Sequence, residues 1–164
     1  MWRDLLRTMV KYYVANPSPD EEPMYQFDVS PPAGTAWPAS LPACPELQAF
    51  YGLCDGGDFG GIRFVALSEL AEHTTHWIEN LKGYDDRGDI LFPGRHLVFA
   101  EDSGAVPWIW DAQTGQTASF YYRGGDWEEP SYPSMEAFLQ HVFAPYPADE
   151  EWSAAIEILR KFRG

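Results

Sequence analysis

Apolar positions near the start of the chain recur with the period of an α-helix. Apolar residues follow one another at spacings of three or four, and basic residues occupy the opposite side; the apolar stripe is Trp2, Leu5, Leu6, Met9 and Tyr13. Such a stripe is typical of a helix that packs on a core. The pattern predicts an amphipathic helix over residues 2–14, which ends before Pro17.

The same period predicts four more helices. Pro45 suits the first turn of a short helix, and Ser68 and Ser134 suit the N-caps of two later ones. The apolar stripes of these three helices are Leu47, Phe50, Tyr51 and Cys54; Leu70, Thr74, Trp77, Ile78 and Leu81; and Met135, Phe138, Leu139, Val142 and Phe143. A last helix is predicted over residues 149–162.

Runs rich in β-branched and aromatic residues predict strands between these helices. The predicted strands are Ile62–Leu67, His96–Ala100, Val106–Asp111 and Thr117–Tyr122. The last two are joined by Ala112–Gly115, a loop whose length suits a hairpin. The glycine-rich segment Asp55–Gly61 is interpreted as a turn after the helix. This order predicts one α+β domain over residues 1–164, a mainly antiparallel twisted sheet flanked by several helices.

Composition adds a strong negative charge to this picture. The 164 residues carry a formal net charge of −14. Between Pro17 and Glu136, twenty acidic residues face five basic ones. Such a field repels nucleic acid and anionic membranes and speeds the encounter with a basic protein. Solubility alone is the alternative explanation of the charge.

Three features point to the cytoplasm. No apolar run approaches the roughly 20 residues of a membrane-spanning helix, and charges interrupt the first residues where a signal peptide would need an apolar core. Only Cys44 and Cys54 are present, both in apolar surroundings. A disulfide framework uses more cysteines, so we expect buried thiols in a reducing compartment.

An ordered set of short motifs resembles one known family. The motifs are Leu41-Pro42, Leu47-x-x-Phe50-Tyr51, Asp55-Gly56-Gly57, Phe59-Gly60-Gly61, Leu67-Ser68-Glu69-Leu70, Leu97-Val98-Phe99-Ala100-Glu101-Asp102, Trp108-x-Trp110-Asp111, Thr114-Gly115 and Met135-Glu136-Ala137-Phe138-Leu139. Together they resemble the SMI1/KNR4 (SUKH) superfamily over about residues 41–143, with the helices over 2–14 and 149–162 expected to pack on this core. Asp55 stands where the family often has an asparagine-like residue.

The resemblance implies a function through binding. Bacterial members of that family commonly act as immunity proteins that neutralise delivered toxin domains, often nucleases, and fungal members are regulatory proteins that act through partners. It therefore implies a bacterial immunity protein without catalysis, whose partner is a cognate protein toxin. The acidic charge of the chain predicts that this toxin is basic, and we expect no cofactor or metal. A regulatory or scaffold adaptor is the alternative.

Enzymatic alternatives rest on two groups of residues. His73 and His76 share one helix and could ligate a metal, but no third ligand is identifiable nearby. Acid and base carboxylates could be sought among Asp85-Asp86, Asp89, Glu101-Asp102 and Glu128-Glu129, yet a catalytic pair needs two different environments. No nucleophile elbow or P-loop motif is present. We expect these carboxylates to form an anionic surface.

Aromatic residues lie among the acidic ones in the last third of the chain. Rings next to carboxylates are a common composition of binding surfaces. The predicted partner contacts are Asp58, Glu101, Asp102, Asp126, Trp127, Glu128, Glu129 and Tyr132. The alternative for Trp127 is that its ring merely covers the edge of the sheet.

Overall fold

A computed structural model describes residues 2–15, 29–84 and 88–144. The described helices are α1 (Trp2–Ala15), α2 (Pro45–Tyr51), α3 (Leu70–Asn80) and α4 (Met135–Phe143), with a 3-10 turn at Leu67–Glu69 before α3. The strands are β1 (Gly57–Phe59), β2 (Ile62–Phe64), β3 (His96–Asp102), β4 (Pro107–Asp111), β5 (Thr117–Tyr121) and β6 (Asp126–Trp127). The predicted α+β class is confirmed.

The six strands form one antiparallel sheet in chain order, β1 to β6. Gly60 and Gly61 turn β1 into β2 with φ angles of 64° and 84°, and two consecutive positive φ angles are the requirement of a tight type I′ hairpin. The predicted hairpin between β4 and β5 is present, and Gly115 takes a φ of 77° in it. A register shift between Val98 and Ala100 adds one residue to β3 opposite β4.

Helices cover the two faces of the sheet unequally. α1, α2 and α4 contribute to a large aromatic core on one face, where Phe64, Phe99 and Phe138 are fully buried and contact one another. α3 packs on the other face, where Trp77 lies in a smaller cluster with Ile109. Burial of these side chains is the main stabilising term of the fold.

Several predicted boundaries need correction. The strand predicted over Ile62–Leu67 ends at Phe64, because a 3-10 turn occupies Leu67–Glu69. That turn also prevents Ser68 from capping α3, whose N-cap is Glu69 and has no side-chain cap. The segment interpreted as a turn contains strand β1.

Other predicted elements are confirmed. Helix 2–14 corresponds to α1, and the Ser134 hydroxyl accepts a hydrogen bond from the Ala137 backbone N–H at the start of α4. The helix predicted over 149–162 lies outside the described residues. No helix in the three described ranges is long and apolar enough to cross a lipid bilayer.

Candidate protein-binding face

The predicted contacts are distributed over the sheet by the alternation of side chains along each strand. We call the side of the sheet on which α3 packs the α3 face. Asp58 on β1 pairs with Arg63 on β2, and Arg63 pairs with Glu101 on β3, so these three side chains lie on the same face of the sheet. At the far edge, Trp127 on β6 pairs with Phe120 on β5. β1 and β6 lie about 24 Å apart at a strand spacing of about 4.8 Å, with α3 between them.

Glu101 is held under α3 by a ring nitrogen. The Trp77 indole N–H donates to Glu101 Oε1 over 2.9 Å, and His73 Nε2 lies 3.5 Å from the same oxygen. Burial lowers the pKa of His73, and the charge of Glu101 opposes that effect. A hydrogen bond from an indole keeps the carboxylate in one position, so Glu101 presents a fixed charge beside the helix.

Asp58 lies beyond α3, at the β1 edge of the same face. Its Oδ1 accepts a hydrogen bond of 3.0 Å from the Gly61 backbone N–H, which closes the β1–β2 turn. Asp58 and Arg63 both line a polar cleft of about 440 Å³, together with Asp55 and Glu69. In this cleft three carboxylates surround one guanidinium, so its net charge is negative.

A second cleft lies where α3 leaves the sheet uncovered. We call it the aromatic cleft; it has a volume of about 420 Å³ and is lined by Ile90, Phe92, Arg95, His96, Ile109, Asp111, Thr114, Gln116, Ala118, Trp127, Glu128, Glu129 and Ser131. Phe92 and Trp127 are 42% and 46% exposed, and both are among the most exposed large apolar side chains of the described chain. The Trp127 ring contacts Phe120 on β5, and the exposed part of the side chain is accessible from solvent.

An ion pair braces one wall of the aromatic cleft. Arg95 Nε and Nη2 donate to the two oxygens of Asp111 over 2.9 and 2.8 Å, and Asp111 also accepts from the Gln113 N–H and the Thr114 hydroxyl. The guanidinium holds the pKa of the Asp111 carboxyl well below its usual range. Both charges are satisfied within the wall.

His96 stands beside this pair and is buried at the start of β3. Its Nδ1 accepts a 2.8 Å hydrogen bond from the Phe92 backbone N–H, which places the ring proton on Nε2. Nε2 lies 4.0 Å from Asp111 Oδ2. Burial lowers the pKa of His96, so the ring is neutral near pH 7 and anchors the loop between α3 and β3.

The other predicted contacts have different surroundings. Asp102 Oδ1 accepts from the Gly104 and Val106 N–H groups and so closes the β3–β4 turn. The Glu128 carboxylate accepts from the Ser119 hydroxyl over 2.8 Å, on the side of the sheet opposite α3. Strict alternation turns the exposed Asp126 to that side as well.

Tyr132 also belongs to the side opposite α3. Its ring contacts Trp108, Phe138 and His141, and it is partly buried against the large core. Glu128 also lines the aromatic cleft, but its carboxylate is turned to Ser119 on the opposite side. The α3 face therefore collects four of the eight predicted contacts, which are Asp58, Glu101, Trp127 and Glu129.

The histidines considered as metal ligands are separated by the geometry of α3. His73 points toward Glu101, while the exposed His76 ring shares a 2.8 Å hydrogen bond with the Asn80 amide. Within residues 2–15, 29–84 and 88–144, no three His, Cys, Asp or Glu side chains come together in a way that could hold a metal ion.

Sequence reasoning missed Phe92, Arg95, His96 and Ile109 as parts of a site. One signal was present: Ile109 and Asp111 alternate with Trp108 and Trp110, so they had to face the opposite side of β4. Phe92 and Arg95 lie in a loop around Pro93-Gly94, and no local pattern indicates that such a loop folds against the cleft.

No family model matches the chain, and a search of curated proteins finds no match. The resemblance to the SMI1/KNR4 superfamily therefore stays a prediction that depends on the motifs quoted above.

Proposed function

We propose that this protein is an immunity-type binding protein that captures a basic protein toxin on its α3 face and blocks the toxin by covering its active site. The observation that carries the proposal is the position of four predicted contacts, Asp58, Glu101, Trp127 and Glu129, on one side of the sheet. Three carboxylates on the same side as one exposed indole supply both charge and apolar area to a partner.

Internal hydrogen bonds hold these carboxylates in place before a partner arrives. Glu101 accepts from the Trp77 indole, Asp58 from the Gly61 N–H, and Glu129 from the Ser131 N–H over 3.0 Å. Binding to a charge that is already ordered costs less side-chain entropy than binding to a freely rotating one. These contacts support a surface that recognises a partner without rearranging.

Charge would act mainly on the rate of encounter. With a net charge of −14, the protein would attract a basic toxin over several ångströms, and added salt would slow association more than dissociation. The ring of Trp127 would then contribute to the lifetime of the complex, because hot-spot residues are enriched in tryptophan. For a toxin that acts on nucleic acid, the anionic face would occupy the surface that binds the polyanion.

Co-expression tests this function. The protein is produced with each toxin-like product of the neighbouring genes, and survival of the cells is measured. We expect survival with the unaltered protein and its loss when Trp127→Ala and Glu129→Gln are combined. Loss of the tryptophan alone should weaken binding by about 2 kcal/mol, which is about thirtyfold in Kd.

Asp126→Asn is the matched control, since the exposed Asp126 adjoins Trp127 but lies on the side of the sheet opposite α3 and does not line the aromatic cleft. Unchanged survival with the double variant, or equal loss with the control, would contradict the assignment of the face. Absence of protection against every neighbouring gene product would contradict the immunity function and favour the regulatory alternative.

A further inference from the structure

The aromatic cleft combines an apolar floor with exposed rings at its rim. Ile109 on β4 and Ala118 on β5 pair directly with each other and form the floor. Phe92 and Trp127 line the same cleft, and a T-shaped contact with Phe120 at 5.3 Å fixes the ring of Trp127. A cavity of about 420 Å³ falls within the range of about 300–1,000 Å³ that is usual for sites taking small groups.

Two of the acids that line this cleft already have side-chain partners. Asp111 accepts two hydrogen bonds from Arg95, and the Glu128 carboxylate is bound to the Ser119 hydroxyl. Glu129 differs from these two acids, since it accepts only a backbone N–H, that of Ser131, within the described chain. The cleft thus offers a visitor one carboxylate next to one exposed indole.

We infer that the aromatic cleft is the subsite for an arginine side chain of the partner, an assignment that rests on the proposed function and names the group it recognises. The aliphatic stem would lie on Ile109 and Ala118, and the guanidinium would stack on Trp127 while donating to Glu129. A planar guanidinium combines stacking and paired donation, whereas the compact ammonium of lysine does not.

The cleft already contains one example of this arrangement. The Arg95 guanidinium carbon lies 5.9 Å from the centre of the Phe92 ring and donates two hydrogen bonds to a carboxylate. A visiting guanidinium on Trp127 and Glu129 would repeat the same pairing of ring and acid. The partner's basic character supplies the charge complementarity.

The test uses the full chain and a defined probe, the capped tripeptide Gly-Arg-Gly, followed by NMR. We expect saturable shifts of the Trp127 indole N–H and of the Ala118 amide. The same peptide with citrulline, which keeps the shape and removes the charge, should bind about tenfold or more weakly, and the lysine peptide should also be weaker.

Two isosteric variants locate the site. Glu129→Gln should weaken binding of the arginine peptide about tenfold, and Asp126→Asn, on the opposite side of the sheet, should leave the Kd of the peptide unchanged. Equal binding of the citrulline peptide, shifts confined to Asp58 and its neighbours, or no saturable shift at all would overturn the assignment. Unchanged dispersion of the amide signals shows that each variant is folded.

Failure of the arginine subsite and failure of the proposed function are distinguishable, because binding of the peptide is measured without any toxin. Cells protected by a protein that ignores the peptide would remove the arginine subsite and keep the immunity function. Peptide binding in the cleft without protection against any toxin would do the reverse.

Discussion

Two glycines with the same positive φ angle allow a sharp test of how tightly the backbone packs around β1 and β2. Gly56 and Gly61 both have a φ of +84°. A Cβ built on Gly56 would lie 2.6 Å from the Phe64 carbonyl oxygen and 2.9 Å from that of Val65, while a Cβ on Gly61 meets nothing within 4 Å. Alanine at the two positions therefore introduces the same conformational cost but a different steric one.

The magnitudes follow from these contacts. Gly61→Ala should cost about 1–2 kcal/mol, the penalty for an L-residue in the left-handed region. Gly56→Ala adds the displacement of backbone that cannot rotate away, about 1–3 kcal/mol more, for a total of about 2–5 kcal/mol. For a chain of this size each kcal/mol lowers Tm by about 2–4 °C.

Urea unfolding, followed in parallel by tryptophan fluorescence and circular dichroism, measures both variants. We expect coincident transitions and a clearly larger loss for Gly56→Ala, up to failure to fold, whereas Gly61→Ala remains folded. Equal losses would refute the reasoning, since they would mean that β2 moves freely away from Gly56. The Gly61→Ala protein should still bind its partner, because the backbone N–H that donates a hydrogen bond to Asp58 is still present.

Three further outcomes are expected. Asp111→Asn should lower the free energy of unfolding by about 2 kcal/mol at pH 7. Since Arg95 depresses the pKa of Asp111 in the folded protein, this difference from the unaltered protein should be complete above the ordinary aspartate pKa of about 3.9 and shrink as the pH falls below it. A difference that stays constant in urea titrations down to pH 3 would contradict the ion pair. Ser134→Ala removes the cap of α4 and should cost about 1 kcal/mol in the same assay; a neutral result would show that the cap contributes nothing. Burial raises the pKa of Cys44 and Cys54 to about 12, so a thiol reagent at pH 8 should label both only after denaturation, and rapid labelling of the native protein would show that they are accessible.

The local pattern of the chain determined much of the architecture. Apolar spacing placed α1 and α4, and the run Trp108-Ile109-Trp110 fixed which residues of β4 share a face. Ser134 could be recognised as a cap because its role is local. The glycine pairs at 56–57 and 60–61 signalled positive φ angles, but they did not signal strand β1 at Gly57–Phe59, since three residues are too few for a periodic signal.

Only the tertiary structure decided which carboxylates face the same way. Strict alternation from Val98, which packs under α3, would turn Glu101 away from that helix. The extra residue in β3 between Val98 and Ala100 reverses the alternation and brings Glu101 to the Trp77 indole. A bulge of this kind is set by pairing with β4, which the sequence of β3 alone does not reveal.

The aromatic cleft also arises from long-range packing. The loop that holds Phe92 and the edge strand that holds Trp127 are 35 positions apart in the sequence, and they meet because α3 covers only part of its face of the sheet. The sequence alone indicated an aromatic ring next to two acids, at Trp127–Glu129. Which of those acids points into the cleft depends on pairing with β5, and that pairing is a property of the folded sheet.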